Sequence, residues 1–140
     1  MKSRNTFALF SEKTILVVDD SDMNNSVIKA ILERYGVNVL LAQNGADAVD
    51  QFKKSERFSI CAILMDIAMP VMDGREAAKE IRALERDDSK KIPIIAVTAS
   101  VDSCDKEKVL EYGMSDFLEK PIVPEALLST ISRHLDVGEK

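Results

Sequence analysis

The sequence predicts a three-layer, doubly wound α/β domain built on a five-stranded parallel sheet. Five short apolar runs recur, at Thr14–Val18, Val37–Ala42, Ile60–Met65, Ile92–Val97 and Asp116–Leu118, each followed by a segment with helical periodicity. The middle runs are apolar throughout rather than alternating, as strands covered on both faces require. At 140 residues, 46% of them apolar, the chain has the size and composition of one domain with a full core. The expected strand order is 2-1-3-4-5 with right-handed crossovers, which puts strands one, three and four at the centre.

Each helix has its own signature. After the first run, Met23, Val27, Ile31 and Tyr35, joined by Ile28 and Leu32, form an apolar face that Gly36 terminates. Asn44-Gly45 opens a second helix that buries Ala48, Val49 and Phe52, and Ala77, Ala78, Ile81 and Leu84 mark a third. The charged stretch Glu85 to Lys91 returns as a loop to the fourth strand. A fourth helix is expected over Val101–Tyr112, closed by Gly113, and a fifth begins at Pro124 and is defined by Leu127, Leu128, Ile131 and Leu135. The domain is expected to span residues 14–135, with residues 1–13 and 136–140 as tails.

Composition narrows the function. A net charge of −5 with interspersed signs offers no basic stripe to neutralise a nucleic-acid backbone. No apolar run approaches ~18 residues and no signal peptide is present, so a cytoplasmic domain without a membrane segment of its own is expected. Cys61 and Cys104 lie far apart without histidine neighbours, which suggests reduced thiols rather than a disulfide or a zinc site.

The polar residues fall at the strand ends. Asp19-Asp20 follows strand one, Asp66 strand three, Thr98 strand four and Lys120 strand five. In an open parallel sheet these carboxyl ends share one edge, where ligands bind at the reversal of strand order. Any one of them alone reads as a helix N-cap. All five at successive strand ends read as one site.

Three clustered carboxylates repel one another and raise their own pKa values unless a cation joins them. Magnesium suits such a site, because it takes oxygen ligands from one or two carboxylates and a phosphate and keeps some of its water. Asp20 and Asp66 are the expected direct ligands, Asp19 acts through water, and the main-chain carbonyl of Ala68 completes the protein's share. One oxygen of Asp66 then remains free as a carboxylate nucleophile toward phosphorus. Lys120 supplies charge, while the Thr98 hydroxyl and the amides near Ile67 and Ala99 supply donors to the moving phosphoryl group.

The segments ILVVDD (15–20), LMDIAMPVMDG (64–74), AVTA (96–99) and DFLEKPI (116–122) resemble response-regulator receiver domains, in that family's order and spacing from about Thr14 to Leu135. The resemblance implies the flavodoxin-like receiver fold. It also implies phosphorylation of Asp66 by a histidine kinase or histidine phosphotransfer protein, followed by slow self-catalysed hydrolysis, so that the chain is no conventional enzyme. It further implies a cis Lys120–Pro121 bond and a switch in which Thr98 and Phe117 move together. The face that changes, made of the fourth helix, the fifth strand and the fifth helix, is expected to bind a partner or a second copy of the domain. DDSDMN (19–24), MPVMDG (69–74) and EYGMSDFLEKPI (111–122) look most like receiver domains of hybrid sensor histidine kinases. Ala68, Ser100 and Phe117, where many relatives carry tyrosine, depart from the common pattern; Ala68 and Ser100 border the path of the hydrolytic water.

Other functions fit less well. An Asp-nucleophile phosphatase carries a second acid two residues after the nucleophile, where this chain has Ala68. A dinucleotide-binding domain needs a glycine-rich turn in place of Asp19-Asp20-Ser21. An unphosphorylated pseudo-receiver would not need all of Asp19, Asp20, Asp66, Thr98 and Lys120. His134, the only histidine, reads as a helix-end residue rather than a phosphodonor.

Overall fold

The computed structural model describes residues 10–57, 59–67, 73–98 and 110–135. Within them β1 (Thr14–Val18), β2 (Asn38–Ala42), β3 (Ile60–Asp66), β4 (Ile94–Thr98) and β5 (Asp116–Glu119) pair in parallel as one sheet, ordered β2-β1-β3-β4-β5. This is the order expected from sequence. Strand four starts later than its apolar run, because Pro93 has no N–H to give the ladder and contributes only its carbonyl, which accepts from Ile63 at 2.9 Å.

Alternate residues of each central strand feed two cores. Leu16, Val18, Ile63, Met65, Ile94 and Ala96 face α2 (Gly45–Lys54) and α3 (Gly74–Ala83), packing with Phe52, Ala78 and Ile81. Ile15, Val17, Ala62, Leu64, Ile95 and Val97 face α1 (Asp22–Glu33) and α4 (Pro124–Leu135), packing with Ile28, Leu32, Leu127 and Ile131. The period of two along the strands thus covers both faces and explains the uninterrupted apolar runs.

Three features differ from the sequence reading. Phe10, in the stretch expected to be a tail, is fully buried and meets Tyr35 with ring centroids 6.4 Å apart. On α1 the buried stripe is Asn25, Ile28 and Leu32, whereas Met23 and Val27 are 75% and 48% exposed. The helix is turned so that its first apolar residues look outward and an asparagine looks inward. The charged stretch before β4 also holds a buried ion pair. Arg86 makes two contacts to the Asp88 carboxylate, at 2.8 and 3.0 Å, and lies 4.5 Å over the Phe52 ring. It also donates to the carbonyls of Phe52 and Ser55, closing the C-terminal end of α2.

Of the expected fourth helix only residues 110–112 are described, with Leu110 exposed. Gly113 follows at φ +86, a backbone conformation that favours glycine. Cys104 lies outside the described residues. The Cys61 thiol is half-buried and unbonded to another cysteine, and burial pushes it up to about 11, which leaves it protonated and unreactive. Among the described residues no helix is long and apolar enough to cross a membrane.

Candidate functional site

At the carboxyl edge of the sheet β1 is followed by Asp19 and Asp20, and neighbouring β3 ends in Asp66. Their carboxylates offer oxygens that all lie within 4.8 Å of one another. Asp19 and Asp66 are buried, at 2% and 4% exposure, and Asp20 faces solvent. From the far side Lys120, just past β5, reaches in, with Nζ 3.3 Å from Asp19 Oδ2 and 3.4 Å from Asp66 Oδ2. The backbone places that ammonium: Lys120 N–H donates to Thr98 C=O at 2.7 Å, and the following bond to Pro121 is cis.

The charge balance is unequal. Burial and then the Asp19 carboxylate raise Asp66 from 3.8 to about 6, against the opposing pull of Lys120. Burial alone would lower the Lys120 ammonium, yet Asp66 and Asp19 outweigh it and hold the group above its ordinary value. One cation does not neutralise three acids. The donor set is all oxygen, mostly buried and short of positive charge, which is the chemistry that a hard divalent ion satisfies. Magnesium therefore fits the residues present, with Asp19, Asp20 and Asp66 as the side chains that would hold it. The Ala68 carbonyl, expected to share in this, lies outside the described residues, as do Ala99 and Ser100.

The walls of the site are largely main chain. Gly74 N–H donates to Ile67 C=O at 2.9 Å, so α3 starts hard against the end of β3. A Cβ on Gly74 would come 2.2 Å from the Asp66 carbonyl oxygen and 2.9 Å from Met65 Cγ, which only glycine avoids. Asp73 caps the same helix by accepting from Glu76 N–H at 3.0 Å. Thr98 is 6% exposed at the end of β4, and the adjacent Val97 C=O accepts from Ile67 N–H at 3.1 Å. Phe117 is partly buried, packed on the core cluster shared with α3.

Residues not anticipated from sequence hold Asp19. Ser21, the N-cap of α1, donates its N–H to Asp19 Oδ1 at 2.9 Å, and Asn24 Nδ2 reaches Asp19 Oδ2 at 3.3 Å. Asn25 Nδ2 donates to the Asp19 carbonyl at 3.0 Å. A signal for Asn25 was available: it sits three residues before Ile28 and seven before Leu32, where the helical stripe calls for an apolar side chain. His134 lies away from the site, its Nε2 3.1 Å from Asp116 Oδ2 beside Arg133 at 2.8 Å.

Comparison with known proteins gives the same picture. The chain is 42% identical over 123 residues to hybrid signal transduction histidine kinase I of Dictyostelium discoideum, a match that takes in 86% of this chain but only 7% of that protein. Against histidine kinase 2 of Arabidopsis thaliana it is 34% identical over 151 residues, covering 95% of this chain and 13% of that one. The chain thus spans a small part of the curated relatives that it matches. A crystal structure of the receiver domain of sensor histidine kinase PA1611 from Pseudomonas aeruginosa, with a magnesium ion in its active site cleft, superposes with a TM-score of 0.79 at 36% identity, covering 90% and 99% of the two chains. A co-crystal structure of the Saccharomyces cerevisiae phosphotransfer protein Ypd1 with the receiver domain of Ssk1 matches with a TM-score of 0.81 at 33% identity, covering 92% of each chain. The family model described as the response regulator receiver domain matches residues 15–132, and the chain belongs to that family.

Proposed function

We propose that the chain is the phosphoacceptor of a phosphorelay, taking a phosphoryl group from a phosphohistidine partner onto Asp66. The observation that carries this reading is the meeting of three carboxylates within 4.8 Å under a lysine that bridges two of them. An Asp66 oxygen forms the new P–O bond and the donor's P–N bond breaks; its electron pair stays on the imidazole, which takes a proton from solvent. No general base is needed, because Asp66 is predominantly ionised at neutral pH. Bound magnesium supplies charge that offsets the crowded oxygens of the acids and the phosphoryl group. Lys120 orients Asp66 and neutralises charge in the acyl phosphate, and the Thr98 hydroxyl donates to a phosphoryl oxygen.

A protein donor suits the surroundings better than a free metabolite. Beside Asp19 and Lys120 lies a cavity of about 210 Å³ lined by Met23, Val27, Val97 and Ile122, of which Met23 and Val27 are exposed, as is Val123 next in sequence to Ile122. An exposed apolar patch beside a charged centre suits a helix that presents a histidine next to apolar neighbours. The Ypd1 complex of a similar receiver domain supports this choice of partner. Output is assigned to residues 101–112, β5 and α4, where Thr98 and Phe117 shift together on phosphorylation and a partner or a second copy binds.

Incubation with magnesium and a small phosphodonor such as phosphoramidate tests the chemistry. One phosphoryl group should appear, be lost on chelation of magnesium, and be absent from Asp66→Asn. Undiminished labelling of Asp66→Asn would overturn the assignment. Met23→Ser with Val27→Ser should slow transfer from a phosphotransfer protein while leaving labelling by phosphoramidate unchanged; equal slowing with both donors would remove the docking role.

A further inference from the structure

We infer that Asn25 is a positioning residue for the acidic cradle, acting through the main chain of Asp19. This rests on the magnesium-dependent reading of the site and names a residue that the reading does not require. Asn25 is 3% exposed, in the second turn of α1, on the face otherwise made of Ile28 and Leu32. Its Nδ2 donates to Asp19 C=O at 3.0 Å and points at Ala42 C=O at 3.5 Å. Its Oδ1 is buried and has no hydrogen-bond partner among the described residues. Two carbonyl oxygens face the same end of the amide, so the opposite orientation would set oxygen against oxygen.

A buried asparagine with half of its polar capacity unmet is a costly way to fill a core position, because desolvating the free amide oxygen offsets part of what the Nδ2 bond to Asp19 contributes. What the amide gives instead is control of one peptide plane. Asp19 N–H already donates to Ala42 C=O at 3.1 Å, and Asn25 holds the carbonyl on the other side of the same residue. Fixing that carbonyl fixes the plane it shares with the N–H of Asp20, and hence the direction in which Asp20 leaves the sheet. Among the described residues the exposed Asp20 carboxylate accepts no hydrogen bond of its own, whereas Asp19 is held by Ser21, Asn24 and Lys120. The least supported acid of the cradle therefore depends on Asn25 for its direction.

Asn25→Leu, of similar size, and Asn25→Ser, smaller and still polar, separate this role from a structural one. Magnesium affinity is read by amide NMR titration, and folding by far-UV circular dichroism and urea unfolding. Both variants should fold and bind magnesium about tenfold more weakly, the scale seen when partners that orient a metal's ligands are removed. Raising magnesium in proportion should restore the rate of labelling by phosphoramidate, which a general loss of packing would not allow. A folded variant that binds magnesium within about twofold of wild type, or whose labelling stays slow at saturating magnesium, overturns the inference. Wild-type protein that binds no magnesium overturns the underlying reading as well, so the two failures are told apart.

Discussion

Asp66→Asn should make the metal-free protein more stable while removing its chemistry. Burial and then the Asp19 carboxylate push the Asp66 carboxyl, its side chain 5% exposed, from 3.8 up to about 6. At about 1.4 kcal/mol per pH unit, ionising it in the folded protein opposes folding by about 3 kcal/mol. The folded value is raised above the unfolded one, so the folded state binds the extra proton. Stability from this group is fully present below about 3.8 and is lost as pH rises through about 6. Asparagine has the same shape and no charge, though it gives up the ionic contact to Lys120 at 3.4 Å, so a gain of about 1–3 kcal/mol is expected near neutral pH. Urea unfolding of both proteins in chelator, followed by circular dichroism from about pH 4 to about pH 8, measures the difference. It should be small at the acid end, grow through the window between the two pKa values, and level off above it. With saturating magnesium the wild type should gain and the gap close. A gap that is flat across this range, or an Asp66→Asn protein less stable than wild type in chelator at neutral pH, would refute the reasoning.

Other perturbations have equally definite outcomes. Gly74→Ala forces a Cβ to within 2.2 Å of the Asp66 carbonyl oxygen, so stability should fall by about 2 kcal/mol or more in urea unfolding and phosphoramidate labelling should slow. Arg86→Ala removes the guanidinium from the buried Asp88 carboxylate and from the end of α2, and should cost about 3 kcal/mol without changing magnesium affinity in the protein that remains folded. Phe117→Ala should leave labelling of Asp66 intact but blunt the phosphorylation-dependent change in partner binding or dimerisation; an equal response to an unreactive phosphoryl mimic in both proteins would remove the aromatic relay.

The sheet and the meeting of the acids were legible because each rests on a local signal. Continuous apolar runs mark buried parallel strands, and topology carries whatever follows them to one edge, so Asp19, Asp66 and Lys120 meet whatever the details of packing. The rotation of α1 was not legible. Ile28 and Leu32 of the expected face are buried and Ile31 and Tyr35 pack against the same core, yet Met23 and Val27 are exposed and Asn25 takes the inward position in the first part of the helix. Hydrophobicity alone cannot rank two adjacent stripes when the inner one contains a polar residue whose hydrogen-bond partners lie far off in sequence, as Ala42 does for Asn25. Phe10 escaped for a related reason, since a single aromatic residue ahead of the first strand has no periodicity to reveal it. The Arg86–Asp88 pair lay hidden in a stretch whose charge reads as solvated, although the Phe52 ring beneath it comes from another helix.

Lys120 extends from an edge strand, while the acids it bridges extend from central ones. Among the described residues β1 and β3 are each hydrogen-bonded on both sides, and β5 is bonded only to β4. A force applied between the Lys120 ammonium and a group on Asp66 therefore acts on two supports of unequal stiffness. The central strand cannot shift without disturbing two ladders, whereas the edge strand can tilt or slide by straining one. On the edge-strand side the same element carries Asp116, which is tied to Arg133 and His134 of α4. The strand order thus anchors the two sides of the Lys120 to Asp66 contact unequally, one ladder against two, and that asymmetry belongs to the topology rather than to any one side chain.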